Sequence, residues 1–223
     1  MSADFREAQR EHRALTAAVE KRLLVWIAER LPRAITPDHL TALGLLGNLA
    51  AGLSYALVPG NPQWLHAVNA GLVLNWLGDS LDGTVARVRN RLRPRYGFYV
   101  DHMVDALAIL FLLLGLAFSG LVTPWTAIAL LVAYYFLTIN MGFATYALGV
   151  FKISFGLLGG TELRILIILA NLLVLAKPRF AWGGREILVF DVIALAATVG
   201  VVVTALRSTA QVTKRLYEME RLD

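Results

Sequence analysis

The chain has 223 residues, 57% of them hydrophobic and 17% charged, with mean hydropathy +0.61, a formal net charge of +5 and no cysteine. So apolar a composition excludes an ordinary soluble domain, and several runs approach the ~20 residues that cross a bilayer. The lack of cysteine excludes disulfides, thiolate nucleophiles and thiolate metal ligands.

The opening stretch MSADFREAQREHRALTAAVEKR is charged and lacks the short apolar core of a secretory signal. Residues 12–33 predict an amphipathic helix. Leu15, Val19, Leu23, Ile27 and Leu31 recur along it with Trp26 beside them, while Glu20, Lys21, Glu29 and Arg30 fall elsewhere on the wheel. Such a helix lies in the membrane surface with its apolar stripe down; a soluble helix packed on a partner is the alternative. Thr36 is placed to cap the next helix, with Pro37 in its first turn.

Six spans follow, at 38–58, 63–88, 97–119, 124–148, 161–176 and 190–210. They are separated by PGNPQ, RNRLRPR, SGLVTP, FKISFGLLGG and KPRFAWGGRE, and no internal repeat is visible. In GGTELR, Thr161 reads as a cap and Glu162 as an acidic residue favouring the helix N-terminus. The expected fold is an all-α integral membrane protein, six transmembrane helices preceded by an N-terminal amphipathic interfacial helix. It forms a single domain over 1–223, with 1–37 interfacial, 38–210 spanning and 211–223 a cytoplasmic tail.

With six spans both termini share a face. That face carries seven basic residues before the first span, five from Arg87 to Arg95, then Lys152, Arg207, Lys214, Arg215 and Arg221. The other face has Lys177, Arg179 and Arg185. The positive-inside rule therefore places both termini in the cytoplasm, of a bacterial or archaeal cell membrane. The basic excess reads as topology and attraction to anionic lipid, not as nucleic-acid binding. Arg89, Arg91, Arg93 and Arg95 read as residues snorkelling at the membrane edge.

Four aspartates interrupt this apolar chain. Asp79 and Asp82 lie three apart near the end of the second span, and Asp101 and Asp105 four apart near the start of the third. These spacings put each pair on one helix face. A short loop makes the two helices antiparallel neighbours, so the four carboxylates converge just inside the cytoplasmic boundary. Like charges so close repel by several kcal/mol unless protonated or neutralised. Two divalent cations, Mg²⁺ or Mn²⁺, match oxygen ligands of this kind, and two such ions about 3.5–4 Å apart suit phosphoryl transfer. A proton or cation pathway and a structural helix–helix contact are the other readings of intramembrane aspartates. Gly83 and Ala86 leave room beside the carboxylates or serve ordinary helix packing. Arg87 stands at the mouth to grip a phosphate or snorkel, and Gly97 lets a flat group approach the backbone.

These residues resemble the signature of the CDP-alcohol phosphotransferases, also called phosphatidyltransferases. DSLDGTVAR, nine residues VRNRLRPRY, and GFYVDHMVD fill all eight fixed positions over 27 residues. The loop is one residue longer than is commonest, which leaves Arg89 to Tyr96 without an assigned role. The resemblance implies a CDP-alcohol donor bound over two metal ions, one held by Asp79 and Asp82, the other by Asp79, Asp101 and Asp105. It implies cytidine against Gly83, Ala86 and Gly97, Arg87 on the pyrophosphate, and Asp105 as the general base that deprotonates an alcohol acceptor as CMP leaves. TPDHLT resembles a Pro-Asn-x-x-Thr element with Asp38 in place of Asn. Thr41 would then line the nucleotide pocket; helix capping is the alternative for both residues, and Asp38's role stays open.

The resemblance covers enzymes with CDP-diacylglycerol donors and polar acceptors, and others with CDP-headgroup donors and diglyceride acceptors. Lys152, Arg164 and Arg207 lie near the cytoplasmic ends of the last three spans; with Glu162 they form a candidate acceptor pocket for a phosphorylated alcohol such as inositol phosphate or glycerol phosphate. Each of the three basic residues is otherwise a snorkelling residue. CDP-diacylglycerol with a polar acceptor is the preferred reading, membrane lipid and a homodimer the expected partners. The rivals are an intramembrane aromatic prenyltransferase and a cation- or proton-coupled transporter. A transporter needs polar residues continuing across the membrane, where the second and third spans offer Asn69 and Asn75.

Overall fold

The structure is a computed structural model, and it describes residues 17–148 and 160–221. Within them the chain forms α1 (Ala17–Arg30), α2 (Pro37–Leu57), α3 (Trp64–Val88), α4 (Pro94–Phe118), α5 (Pro124–Leu148) and α6 (Gly160–Ala176). A hairpin of β1 (Arg179–Trp182) and β2 (Arg185–Leu188) follows, and then α7 (Val189–Met219).

Four helices, α2, α4, α5 and α7, are long and apolar enough to cross a membrane. The chain is an integral membrane protein. Of the two other expected spans, α3 has 25 residues but carries polar groups along its length, and α6 has 17.

Turn chemistry sets several boundaries. The Thr36 hydroxyl accepts from His39 N, and His39 Nδ1 accepts from Thr36 N, each at 3.3 Å, so a capping box opens α2 with Pro37 in its first turn. Before α5, Thr123 donates its backbone N–H and hydroxyl to Asp191 of α7, at 2.8 and 2.7 Å.

Small residues bring α2 against its neighbours. A Cβ at Gly47 would stand 2.6 Å from Asn75 N and 2.7 Å from Gly71 O, and one at Gly71 would stand 2.9 Å from Ala51 N. Gly78 abuts Gly44 and the Leu40 carbonyl, and Gly52 abuts Phe111 and Gly115 of α4. Lipid tails are as apolar as leucine, so close backbone approach replaces the hydrophobic drive of a soluble core. These glycines serve contacts within the protomer, so they carry no case for the homodimer.

The main core joins Tyr55, Val68, Leu72, Leu112, Leu116, Leu131, Val174 and Phe190, at the hairpin end of the bundle. A second cluster, Leu24, Ala28, Leu40, Leu81 and Val85, seats α1 on α2 and α3 at the opposite end.

Four departures from the sequence reading stand out. The fold is not purely helical: β1 and β2 pair antiparallel, Arg179 opposite Leu188. Gly183 and Gly184 at φ 57° and 77° form their turn, a geometry open to glycine. Helix α7 continues to Met219, so most of the segment read as a tail is helical. On α1, Leu24 and Ala28 are buried, with Ile27 and Leu31 of the expected stripe packed against them, while Leu23 and Trp26 are exposed, so the inward face lies only partly on that stripe. Finally, Arg89 does not snorkel. Its guanidinium donates to the carbonyls of Ile35, Leu31 and Pro32 at 2.6, 2.9 and 3.2 Å, satisfying groups exposed by the end of α1.

Candidate active site

Helices α3 and α4, joined by a short loop, both pack against α2 rather than chiefly against each other, and their ends bring the carboxylates together. Asp79, Asp101 and Asp105 each offer an oxygen within 4.8 Å of the others, all partly buried. Asp82 lies close enough to interact with the charges of Asp79 and Asp101 but turns to α2. Its Oδ2 accepts from the Thr41 hydroxyl at 2.6 Å, and its Oδ1 from the backbone N–H of Gly83. Thr41 is therefore tied to the acidic group directly.

The donor set is hard carboxylate oxygen throughout and includes three oxygens in one small volume. That fits Mg²⁺ or Mn²⁺ and disfavours soft metals.

Of the other predicted residues, Gly83 and Ala86 are partly buried on α3, and Arg87 is exposed at its end with Nε donating to Gly83 O at 3.0 Å. A side chain at Gly97 would meet nothing within 4 Å, so the first turn of α4 is open. Asp38 pairs with Arg93, whose guanidinium stacks 4.0 Å over Tyr96, and this hydrogen bond raises the Arg93 pKa. Thr36, Asp38, Val85, Arg89, Arg91 and Arg93 line a cavity of about 400 Å³ beside this loop.

Among the acceptor candidates, Arg164 reaches the acidic group. Its Nη2 donates to Asp79 Oδ2 at 2.8 Å and its Nε to Asn75 Oδ1 at 2.7 Å, with the arginine side chain 17% exposed. Glu162 is partly buried two residues earlier. Arg207 is exposed on α7, beside Ser208 and Thr209, which hydrogen-bond Asn140 of α5. Lys152 lies outside the described residues. Thr161 is already inside α6 and donates its hydroxyl to Glu20 at 2.8 Å, so its expected capping role is not observed.

Two residues escaped the sequence reading. Asn75, read from sequence only as a polar residue that a transport path would need, sits one turn before Asp79, donates to Gly44 O at 3.0 Å and receives Arg164. Tyr134 of α5 lies within electrostatic reach of Asp105, Asp101 and Asp79, and the adjacent Tyr135 donates to Ala106 O at 2.9 Å. Asn75 carried a readable signal, an amide four residues before Asp79. Tyr134 carried none, being one aromatic in an apolar span.

The family model for the CDP-alcohol phosphatidyltransferases matches residues 34–206. The chain belongs to this family. It is 30% identical over 149 residues to cholinephosphotransferase 1 of Xenopus laevis, covering 63% of this chain and 36% of that protein. It is 29% identical over 140 residues to archaetidylinositol phosphate synthase of Pyrococcus horikoshii, covering 62% and 70%. The chain spans a third to about half the length of the cholinephosphotransferases it matches. Its fold is shared by Mycobacterium tuberculosis phosphatidylinositol phosphate synthase with CDP-DAG bound, at TM-score 0.55 and 24% identity, over 88% of this chain and 92% of that one. Family membership leaves the transporter and prenyltransferase readings without support. Asn69 and Asn75, the polar residues a transport path would have used, are both held in helix–helix hydrogen bonds.

Proposed function

We propose that this CDP-alcohol phosphatidyltransferase moves a phosphatidyl group from CDP-diacylglycerol to the hydroxyl of a phosphorylated polar alcohol, inositol phosphate or glycerol phosphate, releasing CMP. The observation that carries this reading is the Asp79–Asp101–Asp105 group with the Arg164 guanidinium beside it. An arginine fork at that point suits a second anionic substrate.

Asp79, Asp101 and Asp105 would hold divalent metal, and Asp82 would join them when its oxygens leave Thr41 and Gly83. Mg²⁺ or Mn²⁺ bound there neutralises the pyrophosphate and the charge that develops on it. Gly83, Ala86 and the open turn at Gly97 give the cytidine a surface without side chains, Thr41 borders it, and Arg87 meets the pyrophosphate. Asp105 accepts the acceptor's hydroxyl proton. The acceptor oxygen bonds to the phosphorus carrying the diacylglycerol, the bond from that phosphorus to the bridging oxygen breaks, and CMP departs with the electron pair. Arg164 orients the acceptor phosphate, with Glu162, Lys152 and Arg207 completing the pocket. In this reading α3 and α6 cross the bilayer with the four longer apolar helices, α1 lies in the interface, and the acidic end faces the cytoplasm of a bacterial or archaeal cell.

A second reading, CDP-choline or a similar headgroup donor with a diglyceride acceptor, is favoured by the likeness to cholinephosphotransferase 1. Arg164 argues against it, because a diglyceride offers no anion to bind.

The test is incubation of purified protein in lipid with CDP-diacylglycerol or CDP-choline, each with Mg²⁺ or Mn²⁺ and a panel of acceptors, following CMP and lipid product. CMP release from CDP-diacylglycerol with a phosphorylated alcohol, abolished by chelation and restored by metal, is the expected result. Turnover confined to CDP-choline with diacylglycerol overturns the preferred reading.

A further inference from the structure

Glu20 has the pattern of a residue on the polar face of α1, yet it turns inward. Its Oε1 accepts from Trp76 Nε1 at 2.9 Å, from the Thr161 hydroxyl at 2.8 Å and from the Ser80 hydroxyl at 3.4 Å. Three helices meet at this one oxygen. Trp76 and Ser80 of α3 each follow by one residue a side chain that Arg164 grips, Asn75 and Asp79. Thr161 lies three residues before Arg164, one helical turn away on the same side of α6.

Among the described residues, the first turns of α6 make few apolar contacts, and Ile167 and Ile168 are the first of its side chains to pack against the main core. Leu163, Ile165, Leu166 and Leu169 are 44–55% exposed, and the buried residues of α6 begin at Ala170. Apolar packing therefore holds the far end of this helix, while polar contacts hold the end at the acidic group.

We infer that Glu20 is a positioning residue. Through Thr161 it seats the first turn of α6 on α3 and so sets where the Arg164 guanidinium stands relative to the Asp79–Asp101–Asp105 group. Its donors are a neutral indole N–H and two hydroxyls, so the required feature is an acceptor oxygen of the right reach. Glutamine keeps that oxygen and alanine removes it. The effect on acceptor recognition rests on the phosphorylated-acceptor reading; the seating of α6 does not.

The chain has no cysteine, so nitroxide pairs can be placed at Leu163→Cys and Val73→Cys and their separation measured by double electron–electron resonance in nanodiscs. Glu20→Ala is expected to broaden the distance distribution, and Glu20→Gln to reproduce the parent. In turnover, Glu20→Ala raises the acceptor KM about tenfold while the donor KM and kcat stay within about twofold, and Glu20→Gln restores the parent acceptor KM. Thr161→Val removes the same contact from α6, matches Glu20→Ala in both measurements, and carries the test if Glu20→Ala does not fold. A parent-like distribution in both Glu20→Ala and Thr161→Val, or an altered one in Glu20→Gln, overturns the inference. So does a broadened distribution with an unchanged acceptor KM. If the parent ignores phosphorylated alcohols, the acceptor reading has failed, and the distances still decide the seating of α6.

Discussion

Helix α3 is held in two different ways on its two sides. Toward α2 the contact is a seam of small residues, with Gly44, Gly47 and Ala51 set against Gly71, Asn75 and Gly78 so closely that added Cβ atoms would meet backbone. Toward α6 it is a ladder of polar rungs: Glu20 with Thr161 and Trp76, Arg164 with Asn75 and Asp79, and Asn171 with Asn69. On the last rung Asn171 Oδ1 also accepts from Tyr55 at 2.6 Å. Both devices suit a solvent in which apolar surface gives no net attraction. The seam fixes distance and tolerates almost no change in volume. The ladder fixes direction and consists of groups that can exchange partners. Asp79 stands where the two meet, with its backbone against Gly44 and its carboxylate on Arg164.

The largest effect should come from a change that touches neither side. Asp105→Asn is expected to lower CMP release by about 10²–10⁴-fold, the usual contribution of a general base, while CDP-alcohol binding stays measurable by calorimetry. Parent-like turnover would remove Asp105 from that role. Breaking the seam comes next. Gly47→Leu drives a side chain into the backbone of Asn75 and should cost about 1–3 kcal/mol or more, read as a lower unfolding temperature in detergent.

Breaking the middle rung should affect recognition more than folding. Arg164→Gln is expected to raise the acceptor KM by about ten- to a hundredfold, with a smaller change in the donor KM because Arg164 also pairs with Asp79, and Arg164→Lys should rescue poorly because it lacks the planar fork. Asn171→Ala breaks the last rung and leaves Tyr55 unpaired; the expected loss is about 1 kcal/mol, again by thermal unfolding. Smallest of all is Glu186→Gln. Its pair with Arg179 is solvent-exposed on both sides, so stability should move by no more than about 0.5 kcal/mol. If Asn171→Ala proves as damaging as Gly47→Leu, the distinction between seam and ladder fails.

Much of this was legible from local pattern. Long apolar runs broken by proline and glycine placed α2 to α5 within three residues of their observed ends, and the spacing of the aspartates put Asp79, Asp101 and Asp105 in one group. Thr36 and Pro37 announced the start of α2. What stayed hidden depends on contacts between distant segments. Nothing near Glu20 says that its partners are 56 and 141 residues away. Nothing near Arg89 says that it serves the turn after α1, and no local signal turns Asp82 to Thr41. Phe180 and Ile187 flanking Gly183-Gly184 did carry a hairpin signal, masked because KPRFAWGGRE reads first as a connection between two spans.

That hairpin has a practical consequence. Its tip needs two positive φ angles, and a Cβ at either glycine would find open space. It lies beyond the end of α6, which is itself roughly 18 Å along that helix from Arg164 at the usual rise per residue. An affinity tag or a rigid fiducial for electron microscopy grafted between Gly183 and Gly184 would add bulk to a particle of 24.5 kDa while leaving the acidic group untouched.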